Sequence, residues 1–286
     1  MTLRVIEQFS QPGKAGRPNE DRCGHQGAFA WVIDGATGLA DAPLMDAPSD
    51  AAWLAGAASG LFAEAALSQP HAPLDGIVRS VIETLVRRFE AERLRPPEHR
   101  YELPSAAMVL VRETGDRLEA VSFGDCALFL SRPGAKPGEE VQLFSKSRER
   151  ERREADRLLG DTGRKGEALQ SAPVIEFLRR VRNHQNIEGG YWVLGLEPAA
   201  AGHMQHFEAS LDGAATGLLA SDGFAALTLD YERCTPASFL LRAKTDGLEA
   251  LGSELRHVEN VLDPGCRLYP RFKPSDDATA LLFELS

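Results

Sequence analysis

Phe29-Ala30-Trp31-Val32-Ile33-Asp34-Gly35 is an apolar run that stops at Asp-Gly. Leu218-Leu219-Ala220-Ser221-Asp222-Gly223 stops the same way. Gly124-Asp125 closes a third run, and Asp276-Asp277 stands just before a fourth, Ala278–Leu285. An acid at the tip of a strand has its backbone fixed by the sheet while its carboxylate projects into the rim, where rigid metal ligands belong. The competing reading of Asp-Gly is a type I′ hairpin turn. It fits Asp34 poorly, because residues 36–52 contain no returning strand. The recurrence of the pattern, with Asn19-Glu20-Asp21 beside an arginine, favours convergent acids.

Outward from these runs, Leu3–Phe9, Ala106–Val111, Leu118–Phe123 and Ala127–Leu130 also read as strands. The second and third are joined by a Thr114-Gly115-Asp116 turn and are expected to form a hairpin. A helix capped by Ser49 or Asp50 runs to Leu67. A second spans Leu74–Leu94, with Ile77, Val78, Val81, Ile82, Leu85, Val86 and Phe89 at three- and four-residue spacing. Helix is also expected around Val174–Arg182 and over most of Pro236–Leu255. Strands at both ends with helix pairs between them fit α+β layers better than alternating βαβ units.

Net charge is −10, which disfavours a nucleic-acid partner. Four cysteines, Cys23, Cys126, Cys234 and Cys266, include no C-x-x-C pair, so reduced thiols in a cytoplasmic protein are expected. The N-terminal residues lack the pattern of a signal peptide. The most apolar stretch, Ala51–Leu67, is interrupted by Glu64 and reads as a buried helix and not a membrane span.

Phosphate-loop, dinucleotide, zinc-protease and serine-hydrolase motifs are all absent. His203 and His206, three apart, read as ordinary surface or core histidines. Cys126 and Arg132 have the spacing of a cysteine-dependent phosphatase, but the residues between them form an apolar strand and not an anion-binding loop. Cys126 therefore reads as core. Carboxylates without His or Cys select hard ions, Mg²⁺ or Mn²⁺. Without a cation such acids repel one another and take up protons.

The order and wording of six segments resemble the PPM (PP2C-type) metal-dependent protein phosphatases, bacterial branch. They are Gly16-Arg17-Pro18-Asn19-Glu20-Asp21, Val32-Ile33-Asp34-Gly35, Pro104-Ser105-Ala106-Ala107, Gly124-Asp125-Cys126, Leu219-Ala220-Ser221-Asp222-Gly223-Phe224 and Ser275-Asp276-Asp277-Ala278-Thr279. The resemblance implies one domain over residues 1–286. Its fold would be a four-layer αββα sandwich, two antiparallel sheets flanked by helices with a metal cleft at one edge. A variable flap would occupy about 131–215.

It further implies that Asp34 bridges two Mn²⁺ or Mg²⁺ ions and that the Gly35 carbonyl completes one shell. Glu20 would ligate the second ion, and Asp222 and Asp276 would hold the first. Asp21 would orient water, Arg17 would grip the substrate phosphate, and Asp125 would serve a weak, conditional third site. The implied reaction is hydrolysis of phosphoserine or phosphothreonine on proteins by a metal-bridging hydroxide. The chain would be a cytoplasmic monomer opposing a Ser/Thr kinase.

Three positions depart from the pattern. Ala36 stands where eukaryotic members carry a histidine, Ala226 where many carry a further metal-binding aspartate, and Arg17 one residue nearer Asp21 than usual. These leave open a catalytically weak or inactive PP2C-like regulatory or phosphoprotein-binding module, or a small-molecule phosphomonoesterase. Lys146–Arg157, rich in both charges, reads as a solvated helix face or flap that would steer a substrate.

Overall fold

The computed structural model describes residues 2–131, 141–144, 172–211 and 213–286. The charged segment 146–157 lies outside them. Among the described residues, ten strands form two antiparallel five-stranded sheets. The first has the order β1 (Leu3–Gln11), β10 (Ala278–Leu285), β9 (Ala215–Ala220), β6 (Ala127–Ser131), β7 (Val141–Phe144). The second has the order β2 (Arg22–Gln26), β3 (Phe29–Gly35), β4 (Ala106–Glu113), β5 (Arg117–Phe123), β8 (Gln205–Ser210).

The two-residue period of a strand explains why these runs are apolar throughout: both faces are covered. On β3, Phe29, Trp31 and Ile33 face helices α1 (Asp50–Ser68) and α2 (Leu74–Glu92). Ala30 and Val32 instead face the other sheet, against Val109, Leu128, Leu219 and Phe283. On β9 and β10, Leu218, Ala220, Ala280 and Leu282 face α4 (Asp222–Leu229), α5 (Pro236–Thr245) and α6 (Leu248–His257). The result is the four-layer helix–sheet–sheet–helix stack that the PPM resemblance implies. A shorter helix, α3 (Ala172–Arg182), lies outside the stack.

Helix α1 is the one described helix long and apolar enough to cross a membrane. It buries Leu54, Ala55, Ala58 and Phe62 on the second sheet, with the Phe62 ring 6.0 Å from Trp31. Burying each large side chain contributes roughly 1.5–3 kcal/mol. Ser49 caps this helix by accepting the Ala52 N–H at 3.1 Å. The Pro236–Leu255 segment breaks in two at Gly247, whose φ of +87° any residue with a Cβ adopts only with strain.

Three strands go beyond the sequence reading. β2 (Arg-Cys-Gly-His-Gln) and β8 (Gln-His-Phe-Glu-Ala-Ser) are edge strands with mainly polar side chains, and β7 has four residues. β7 and β8 fall inside the 131–215 stretch assigned to a flap, yet both are paired sheet strands. The acidic tips all reach one edge of the sandwich. Asp34 lies near the end of β3, opposite Ala107. Ala220, two residues before Asp222, pairs with Ala280, so Asp276 and Asp222 enter from neighbouring strands.

Candidate active site

Asp222 is the first residue of α4 and not part of a hairpin turn, which removes the type I′ reading at that position. The start of α4 is laced to the start of β10. Ser221 donates its N–H to the Thr279 carbonyl at 2.9 Å, and its hydroxyl accepts the Thr279 N–H at 3.0 Å. Asp277 ties the N-terminal segment to the same place. One carboxylate oxygen accepts the Gly13 N–H at 2.8 Å and the other the Glu20 N–H at 2.6 Å. Asp277 is thus a clamp, a role the sequence reading did not assign.

Asp21 is 1% exposed, and its carboxylate oxygens make no well-formed hydrogen bond. Burial pushes its pKa well up. Asp276, Asp277 and Asp222 add to the effect, and the Ser221 hydroxyl partly opposes it. Asp34 is raised in the same way, by burial first and then by Asp21, Asp222 and Asp276. Asp21, Asp34, Asp222 and Asp276, from distant segments, therefore feel one another across a common space.

The buried Cys126 thiol is also pushed well up, by burial and then by Asp34 and Asp125. It is an inert core thiol. Two buried carboxylate oxygens without a well-formed hydrogen bond, set among other acids, suit a hard divalent cation and its water. The residues present fit such ions. Among the described residues, three ligand atoms within 4.8 Å of one another occur at Glu98, His99 and Glu102 and not among the central acids. In that trio Glu98 and His99 are exposed, and Glu102 is buried and bonded by Arg95 at 2.6 Å.

Glu20 is held on both oxygens. Oε1 accepts from the Ser49 hydroxyl at 2.6 Å, and Oε2 from the Thr37 hydroxyl at 2.7 Å. The residue that caps α1 therefore also orients Glu20. Gly35 is a close-approach position, because a Cβ there would meet the Glu20 carbonyl at 2.5 Å.

Two cations that sequence reading missed meet at Thr37. The Lys273 ammonium lies 2.7 Å from Asp276 Oδ1 and 3.2 Å from Thr37 Oγ1. Burial alone would lower the Lys273 pKa, but Asp276, Asp222 and Asp34 more than offset it and the net shift is upward. Arg182, from α3, donates to the Thr37 carbonyl at 2.8 Å. Its pKa is lowered by burial, with Tyr191 and Glu20 opposing. Its neighbour Arg179 bonds the Leu39 carbonyl at 2.9 Å and Asp41 at 2.5 Å, so α3 grips the whole stretch after Gly35. Arg17 is exposed in a turn closed by its N–H to the Lys14 carbonyl at 3.1 Å. Ala36, in the histidine position, contributes only its N–H to the Ser105 carbonyl at 2.9 Å.

Solved structures share this fold over the whole chain. The serine/threonine phosphatase PstP/Ppp of Mycobacterium tuberculosis matches at 17% identity and a TM-score of 0.59, covering 100% of both chains. The PPM Ser-Thr phosphatase MsPP of Mycobacterium smegmatis matches at 16% and 0.54, covering 99% of each. The fold is that of the PPM phosphatases. A further PPM-fold structure, the catalytic domain of PstP in complex with two manganese ions, matches at 18% and 0.56, covering 100% of this chain and 99% of that one. No protein-family model matches the sequence, and no curated protein does. At such identities the PPM fold was legible only through short segments whose order carries the signal.

Proposed function

We propose that this chain is a Mn²⁺/Mg²⁺-dependent phosphatase acting on phosphoserine and phosphothreonine in proteins. The observation that carries the reading is the group of Asp21, Asp34, Asp222 and Asp276 at one edge of a PPM-fold sandwich, with Asp21 fully buried among the partly exposed others and its oxygens lacking a well-formed hydrogen bond. Asp34, Asp222 and Asp276, with Glu20 and the Gly35 carbonyl, would hold two ions, and Asp125 would serve a weaker third. When bound, such ions supply an activated water and neutralise the phosphoryl oxygens.

The chain's own residues do the rest. Ser49 and Thr37 fix both Glu20 oxygens, and the Asp277 clamp holds Asp276 against the N-terminal segment. Asp21 would orient water in the cleft. Arg17 would take the substrate phosphate as it closes onto the rim. With Ala36 in the histidine position, the leaving group takes its proton from solvent. The same reading makes residues 1–286 one domain with an insert at about 131–215. It also makes the chain a cytoplasmic monomer working on the products of a Ser/Thr kinase.

Hydrolysis of p-nitrophenyl phosphate and of a phosphothreonine peptide, with and without Mn²⁺, tests the reading. Turnover that needs Mn²⁺, stops in EDTA and falls at least about 10²-fold in Asp222→Asn is expected. Full turnover in EDTA would refute it. A regulatory module that binds phosphoproteins without turnover is the second reading. It is favoured by Ala226 and by the ammonium already seated on Asp276, and phosphopeptide binding with no turnover at any Mn²⁺ concentration would select it.

A further inference from the structure

We propose that Lys273 is a tethered cation that competes with a divalent ion for Asp276. The inference rests on the metal-dependent reading above. Its ammonium donates to Asp276 Oδ1 at 2.7 Å, and that oxygen also accepts the Asp277 N–H at 2.9 Å. Both lone pairs of Oδ1 are therefore engaged. A metal ion that takes this oxygen must displace the lysine, and one that takes the other oxygen sits within a few ångströms of a positive charge.

The ammonium cannot drift off as a free ion would. It hangs three residues from Asp276 on a segment pinned by Arg271, whose guanidinium bonds the Pro274 carbonyl at 2.9 Å and Asp263 at 2.8 Å. It can still withdraw, because the side chain is 29% exposed and its second contact, to Thr37 at 3.2 Å, is long. Thr37 keeps its bond to Glu20 in either state. The lysine thus screens the carboxylates from one another in the metal-free protein and sets the metal affinity below what the acids alone would give.

Calorimetric titration with MnCl₂ at fixed ionic strength, together with melting in EDTA, tests this in the wild type, Lys273→Met, Lys273→Gln and Lys273→Arg. Removing the charge is expected to tighten Mn²⁺ binding about thirtyfold, the order expected for a single and a double positive charge about 4 Å apart in a largely aqueous rim. The Met and Gln variants should melt at lower temperature than wild type in EDTA and at or above it in saturating Mn²⁺. Lys273→Arg should keep wild-type affinity. The Gln variant keeps the result readable if Met disturbs packing. Unchanged or weaker Mn²⁺ binding in a folded Gln variant overturns the proposal while leaving the metal-dependent reading intact. No Mn²⁺ binding by the wild type overturns both.

Discussion

Replacing Gly223 by alanine places a Cβ 2.0 Å from the Asp277 carbonyl oxygen and 3.3 Å from Asp276 Cβ. Cβ contacts below 3.0 Å are essentially never seen, so that carbonyl must retreat by about 1 Å. It cannot retreat alone, because the Asp277 carboxylate holds the Gly13 and Glu20 N–H groups. In an α-helix, alanine is favoured over glycine by about 1 kcal/mol. Overpacking costs about 1–3 kcal/mol, so a net loss of up to about 2 kcal/mol is expected.

The effect on turnover should be larger, since a displacement of about 1 Å in groups around a reacting centre costs on the order of 10²-fold. Gly60→Ala, in α1 with nothing within 4 Å of the new Cβ, is the control and should gain about 0.5–1 kcal/mol with unchanged turnover. Urea denaturation gives the stabilities, and Mn²⁺-supported p-nitrophenyl phosphate hydrolysis gives the rates. A Gly223→Ala protein as stable and as active as Gly60→Ala would refute the idea that this contact sets the position of Asp276.

Other expected outcomes follow from the charges. Asp21 and Asp34 have raised folded-state pKa values. Their contribution to metal-free stability is therefore present below the unfolded carboxylate pKa and lost as pH rises through the folded values. Asp21→Asn should accordingly stabilise the protein in EDTA more at pH 8 than at pH 5, and equal gains at both would contradict it. Mn²⁺ should raise the melting temperature more at pH 8 than at pH 5, with proton release on binding measurable by calorimetry in buffers of different ionisation enthalpy. Asp263 behaves oppositely. Burial would raise its pKa, but N–H donors from Tyr269, Leu268 and Arg267 and the Arg271 guanidinium prevail, and the net shift is downward. Its contribution is present above the unfolded pKa and lost as pH falls through the lowered one, so Asp263→Asn should cost about 1.5–3 kcal/mol at pH 7, and the difference should vanish in acid titrations of denaturation.

What sequence reading found and missed follows from where the physical signal sits. β3, β9 and β10 are covered on both faces, so they read as apolar runs, and the acids that end them mark the cleft. β2 and β8 are edge strands whose side chains stay largely wet, and neither hydrophobicity nor turn chemistry announces them. The Asp277 clamp was hidden because Asp276-Asp277 reads as a pair, while only the fold shows that one faces the cleft and the other faces backbone N–H groups. Lys273 carried a local signal, a lysine three residues before a strand-entry acid, that reads as any surface i,i+3 pair. Arg182 carried none, since nothing in its neighbourhood points to Thr37, 145 residues away.

β1 has a single partner in its sheet, β10, and their register joins Leu3 to Leu285. During synthesis β1 must therefore wait, unpaired, until the distant β10 has left the ribosome. Contacts this distant in sequence form late and slowly. Asp276 arrives with that same strand, so the carboxylates cannot converge before the first sheet closes. On the proposed reading, a nascent chain would have no metal site until β10 has docked, which would tie the onset of activity to the closing of that sheet.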